Sequence, residues 1–241
     1  MVKLLSIFVL LAAPISCMFT SKRDPQLKVV LMRIPFPRWD GISKVVEQTD
    51  TVWFIKNGNT NVFKMPGLRE VVDDNFLNPV IREYKYFIYN DNDSMGLLFD
   101  SAIAVTGVRK RIDSFFARKF YGEIAPVNKF NVKINSFTEE TGNTVDVYVL
   151  NNKPDRTYPD TTKLYYNARF NHLFYSFSKE LDSVKGMKLF KFRFIYNADD
   201  PKKFNDPWPA KEFFWEIQED TLLNKKEILD FIQRHKDQLH G

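Results

Sequence analysis

Cysteine is nearly missing from this chain: Cys17 is the only one in 241 residues. That excludes an internal disulfide framework, paired-cysteine zinc sites and dithiol redox chemistry. No staple is needed, because the roughly 220 residues beyond Cys17 are enough to bury a full core. Catalytic signatures are missing as well. There is no Gly-x-Ser-x-Gly elbow, no phosphate-binding Gly-x-x-x-x-Gly-Lys loop and no His-Glu-x-x-His pair. Histidine is sparse, and His172, His235 and His240 are not spaced as ligands on one helical face. Charge of one sign is lacking too: 35 Lys and Arg are interleaved with 30 Asp and Glu, for a net +5. This is a solvated, mildly basic surface without the clustered footprint of nucleic-acid binding.

Long hydrophobic runs are also scarce. The apolar stretch Met95–Val108 is short and carries Asp100. The other run, Leu4–Ala13, follows Lys3 and ends at Pro14, with Ile15-Ser16-Cys17 behind it. About 20 apolar residues are needed to span a bilayer, so this run reads as a signal peptide covering 1–17. Its removal takes Lys3 with it and leaves a charge of +4. Cys17 supports two readings. Cleavage beside it leaves a secreted chain, whereas lipidation of Cys17 would make a bacterial lipoprotein, despite proline where a lipobox carries leucine.

What the chain has in abundance is aromatic and β-branched residues, including 23 Phe and 10 Tyr. Leu27–Ile34 reads as a strand stopped by Pro35 and Pro37. Asn57-Gly58 between Val52–Ile55 and Val62-Phe63 reads as a hairpin, and Thr141-Gly142-Asn143 as a second. Tyr84–Tyr89, Phe130–Phe137, Thr144–Leu150, Leu164–Phe177 and Met187–Tyr196 are further strand segments.

Met95–Phe120 reads as a mid-chain helix. Leu98, Ala102, Val105, Ile112, Phe116 and Phe120 share a face, with Ser94 as cap and Gly122 and Pro126 closing it. Its polar side would carry Arg109, Lys110, Arg111, Arg118 and Lys119, a basic face directed at an acidic partner or an anionic membrane surface. Pro207 and Pro209 suggest entry to a helix through Phe213, Phe214 and Ile217. Asn224 with Glu227 forms a capping pair for a last helix bearing Ile228, Ile232, His235 and Leu239. Phe87–Asn90 is echoed by Phe194–Asn197, each read as a strand preceding a helix.

The expected fold is α+β: largely antiparallel sheet, a mid-chain helix and C-terminal helices. It is arranged as two β-plus-helix units, 18–125 and 126–241. Asp91-Asn92-Asp93 opens like a calcium loop but lacks the later ligands, since Ala102 stands where a bidentate glutamate belongs. Asn92-Asp93-Ser94 is a glycosylation sequon. The acid pairs Asp73-Asp74, Glu139-Glu140 and Asp199-Asp200 are adjacent, not opposed across a substrate, and read as loop acids. No cofactor or metal follows from these residues, and the chain reads as non-enzymatic.

Between Gly41 and Met65, Lys44-Val45-Val46 precedes Thr51-Val52-Trp53, a polar Lys56-Asn57-Gly58 turn and a further strand. This pattern resembles the FAINT module of piroplasm parasites (Theileria and Babesia), a β-rich unit of secreted and surface antigens. The resemblance implies a secreted or surface protein acting on host components. Here the chain ends in a charged helix, where many such antigens carry a hydrophobic tail.

Overall fold

The computed structural model describes residues 27–39, 45–70, 80–119, 131–151, 153, 158–205, 207–222 and 224–240. The expected signal peptide (residues 1–17, with Cys17), Asp73-Asp74 and residues 120–126 lie outside them. Its centre is β1 (Lys28–Trp39), in which Val29, Val30, Leu31 and Met32 are buried in succession. Consecutive burial in a strand means that both faces are covered, because neighbouring side chains point to opposite sides.

One 11-stranded antiparallel sheet contains every described strand, in the order β6-β5-β4-β3-β2-β1-β11-β10-β9-β8-β7. The chain leaves the centre through β2 (Val45–Asn57), β3 (Thr60–Glu70), β4 (Val80–Asn90), β5 (Met95–Phe99) and β6 (Val108–Arg111). It returns from the opposite edge through β7 (Asn131–Thr138), β8 (Thr144–Leu150), β9 (Thr161–Asn167), β10 (Lys188–Tyr196) and β11 (Lys211–Glu219). There β11 closes on β1, with Val30 opposite Glu219 and Met32 opposite Ile217. A flat sheet of this width would measure about 50 Å. Residues 112–130, eight of them in helix α1 (Ile112–Lys119), reach at most about the same distance.

One face carries Met32, Phe54, Phe63, Phe87, Leu164, Phe192 and Ile217. It is covered by α1, where Phe115 stacks on Phe87 at 4.0 Å, and by the loop 171–178, where Tyr175 stacks on Phe54 at 3.7 Å. Helix α2 (Lys179–Lys185) follows, capped by Ser178 and closed by Gly186 at φ 64°. The other face carries Val29, Ile55, Val62, Ile88, Leu97 and Phe99. Helix α3 (Lys225–His235) lies on it through Ile228, Phe231 and Ile232. The Asn224–Glu227 capping pair is present: Asn224 Oδ1 accepts the Glu227 N–H and Asn224 Nδ2 donates to Glu227 Oε2.

Five expectations need correction. Met95–Phe120 is not one helix: β5, a turn and β6 precede the eight-residue α1. Gly96 and Gly107 fit this arrangement, since a Cβ at either would stand 2.6 Å from the Phe87 or Phe99 ring. Ile103 and Val105, 80% and 78% exposed, belong to no core face at all. Second, Phe213, Phe214 and Ile217 lie on β11, where aromatic β-propensity and pairing with β10 prevail. Third, Pro35 and Pro37 do not stop β1. Pairing with β11 ends at Arg33, so two prolines of the same parity can aim their missing N–H groups at an unpaired side. Fourth, β9 stops at Asn167, whose side chain caps the short 3-10 turn Ala168–Phe170. Fifth, the echo Phe87–Asn90 and Phe194–Asn197 falls on β4 and β10, and each is followed by a strand where a helix was expected.

His235 is buried between Phe99 and Phe231, with ring centroids at 4.1 and 4.8 Å. Gln238 and the Ala104 backbone approach the ring but neither nitrogen gains a hydrogen bond of good geometry. Burial, then the neighbouring Arg234, holds its pKa below the usual histidine value, so the native state resists protonation. The unfolded chain takes up that proton near pH 6.5. Stability from this group is therefore present above about pH 6.5 and lost as pH falls towards the native value. We expect the thermal midpoint to drop between pH 7 and 5, and His235→Leu to remove that part of the drop. Equal slopes in both proteins would refute the assignment.

Candidate functional site

The basic residues singled out from the sequence do not share a helix. Arg109, Lys110 and Arg111 form β6, exposed along its whole length at one edge of the sheet. They lie opposite Leu97, Gly96 and Met95 of β5. Arg118 and Lys119 belong to α1, and their side chains fall outside the described residues. Arg111 makes a two-pronged pair with Asp113, through Nη2 at 2.8 Å and Nε at 3.2 Å.

Local geometry fixes this corner. The Ser94 carbonyl accepts the Ile112 N–H at 3.0 Å, so α1 starts beside the beginning of β5. The turn 100–107 is held by the end of the chain: Arg234 Nη2 donates to the Ala102 carbonyl at 2.6 Å and Gln238 to that of Val105 at 3.4 Å. Ile103, Val105 and Val108 remain exposed beside the three cations. The result is a basic edge strand that opens with the exposed Val108 and follows a turn with two further exposed apolar side chains. Sequence periodicity could not find it, because the same residues also satisfy a helical spacing.

Asp91 is partly exposed and is taken up by its neighbours. Its carboxylate accepts from Lys56 at 2.5 Å and Asn61 at 2.8 Å, and those hydrogen bonds lower its pKa. Asn92 is exposed at φ 69°, a left-handed turn residue on an open loop. Glu139 accepts from Thr141 and Asn143, and Asp199 and Asp200 accept from the Trp208 and Lys202 backbones, so these acids hold turns. His172 is exposed and faces the Arg169 carbonyl and Glu219. Among the described residues no group of three or more His, Cys, Asp and Glu is placed to hold a metal. No described helix is long and apolar enough to cross a membrane.

Two clusters escaped the sequence reading. On the α3 face, Lys64 lies over Tyr84 at 4.7 Å and Trp53 at 5.3 Å. There Trp53 Nε1 donates to Asp220 at 3.1 Å and Tyr86 to Glu227 at 2.8 Å. Desolvation lowers the Lys64 pKa and raises that of Tyr86. These contacts tie the Trp53 hairpin to the segment after β11, and β4 to α3.

At the far end of the sheet, Asp146 on β8 is 1% exposed. Lys133 reaches it at 2.8 Å, Lys185 at 2.6 Å and Ser136 at 2.7 Å. Burial pushes the Asp146 carboxyl up, but the hydrogen bonds from Lys133, Lys185 and Ser136 outweigh it and the net shift is downward. The only sequence signal was an Asp inside a strand otherwise rich in valine.

No protein-family model, curated protein or solved structure matches the chain.

Replacing Asp146 by Asn leaves two lysines without their carboxylate. Breaking a buried pair costs about 3–5 kcal/mol, and the partly exposed lysines place this case near 3. A carboxyl with a lowered native pKa stabilises above the unfolded value near pH 4, and the contribution is lost as pH falls through the native one. Urea unfolding should therefore show Asp146→Asn about 3 kcal/mol less stable at pH 7, with a smaller gap at pH 3. An unchanged urea midpoint at pH 7 would contradict this.

Proposed function

We propose that the chain is a secreted or surface-delivered interaction protein, without catalysis, that docks on an acidic surface through the corner 103–111. The observation that carries this reading is the exposed strand Arg109-Lys110-Arg111 beside the exposed Ile103, Val105 and Val108. Basic residues draw such a corner to anionic headgroups, and small apolar side chains can enter the interface. The Lys3, Leu4–Ala13 leader supports delivery across a membrane. The resemblance of Gly41–Met65 to the FAINT module supports a parasite surface antigen or host-interaction protein. A second reading is an envelope lipoprotein anchored at Cys17, favoured by the position of the sole cysteine directly behind the leader.

Mass spectrometry of the protein made in a secreting cell separates the two. We expect an unmodified N-terminus at or just after Cys17; a diacyl or triacyl Cys17 would establish the lipoprotein reading, and an intact Met1 would sink both.

Co-sedimentation with phosphatidylserine vesicles tests the corner. Each surface cation contributes about 1 kcal/mol, so the double variant Arg109→Ala, Lys110→Ala should bind about 30-fold more weakly at low salt. Equal binding of the variant, or equal binding to neutral vesicles, would overturn this role.

A further inference from the structure

The two edges of the sheet are treated differently. At one end β6 presents three successive cations, a common means by which edge strands avoid pairing with other chains. At the other end β7 presents Val132, Ile134 and Phe137, which are 44%, 59% and 41% exposed. Its one cation, Lys133, leans inward onto Asp146. The bulge between Lys133 and Asn135 leaves Asn135–Thr138 as a regular stretch paired with β8 on one side. Among the described residues no strand lies on the other side.

We propose that β7 is a strand-pairing site for an extended acidic peptide segment of a partner protein, in which apolar and carboxylate residues alternate. Register and charge specify this occupant. Val132 and Phe137 lie opposite Val149 and Val145, on one face of the sheet. Lys133 and Ser136 lie opposite Tyr148 and Asp146, on the other. A strand added to β7 must therefore offer apolar side chains to the first face and meet Lys133 on the second. The cluster there sets two lysines against the one carboxylate of Asp146, because Asp182 already pairs with Lys188 at 2.9 Å. One positive charge is left over. A side chain on an added strand sits about 5 Å from its neighbour across the ladder, within reach of Lys133. A carboxylate balances the cluster there, whereas a lysine adds a third cation. The Ser136 N–H is held by Asn135 Oδ1 at 2.8 Å, a local cap that a partner carbonyl can replace. The pairing then follows the mode in which main-chain bonds supply affinity and alternating side chains supply specificity.

The test uses the full chain and two labelled octapeptides, one alternating Val and Glu, the other Val and Lys. Fluorescence anisotropy should show the Val/Glu peptide binding at least tenfold more tightly, and amide hydrogen exchange should slow along β7. Ile134→Lys, at an exposed position, should weaken binding about tenfold without moving the thermal midpoint. Asn135→Ala, which removes the local cap, should leave binding intact or strengthen it. Equal binding of both peptides would overturn the proposal. So would protection elsewhere than β7, absence of binding, or sedimentation showing that β7 pairs with a second copy of this chain.

Discussion

The antiparallel contact between β1 and β11 is the constraint on which the rest of this molecule depends. It joins the first and last described strands, so runs of six and five strands become one sheet with β1 and β11 at its centre. Burying Val29 to Met32 in succession then requires a cover on each face. The α3 helix supplies one, while α1 and the 171–178 loop supply the other. Short helices suffice because they fold on a surface already made, where packing and not helix propensity provides most of the stability.

The same arrangement decides where polar chemistry goes. Charged groups near the core are each absorbed by a neighbour: Asp91 by Lys56 and Asn61, Asp182 by Lys188, Glu227 by Tyr86. These groups are only partly buried, and their pairing satisfies polar atoms at the rim of the core. Aromatic rings then join the layers, as where Phe63 meets Phe115 and Phe116 and Phe177 meets Phe192. Capacity for interaction is left to the periphery, at the two sheet edges and the turn 100–107. One edge is basic, and the other presents exposed apolar side chains.

Much of the sheet was readable in the residues. Asn57-Gly58 and Thr141-Gly142-Asn143 marked their hairpins because the backbone needs positive φ there, and Gly58 and Gly142 adopt it at 59° and 80°. Asn224 and Glu227 marked the start of α3 for an equally local reason, the unsatisfied N–H groups of a first helical turn. The stretch Met95–Phe120 misled, because apolar residues at Leu98, Ala102 and Ile112 fit a helix while Leu97 and Phe99 fit a strand. Periodicity alone cannot separate the two in so short a run. The basic residues of the candidate site were recognised as basic, but their strand was not.

What the sequence determined by itself is therefore local: the turns, the caps, the abundance of aromatic residues, the absence of an internal disulfide and the apolar run Leu4–Ala13. Each depends on a few neighbouring residues and on conformational limits that act wherever those residues occur. Only the tertiary structure decided that β1 is central and pairs with β11, that Pro35 and Pro37 are tolerated, and that Gly96 and Gly107 lie against aromatic rings. It also decided that Lys133 and Lys185 converge on Asp146. These outcomes join residues far apart in the chain. They depend on which surfaces are buried together, and no short window of sequence carries that information.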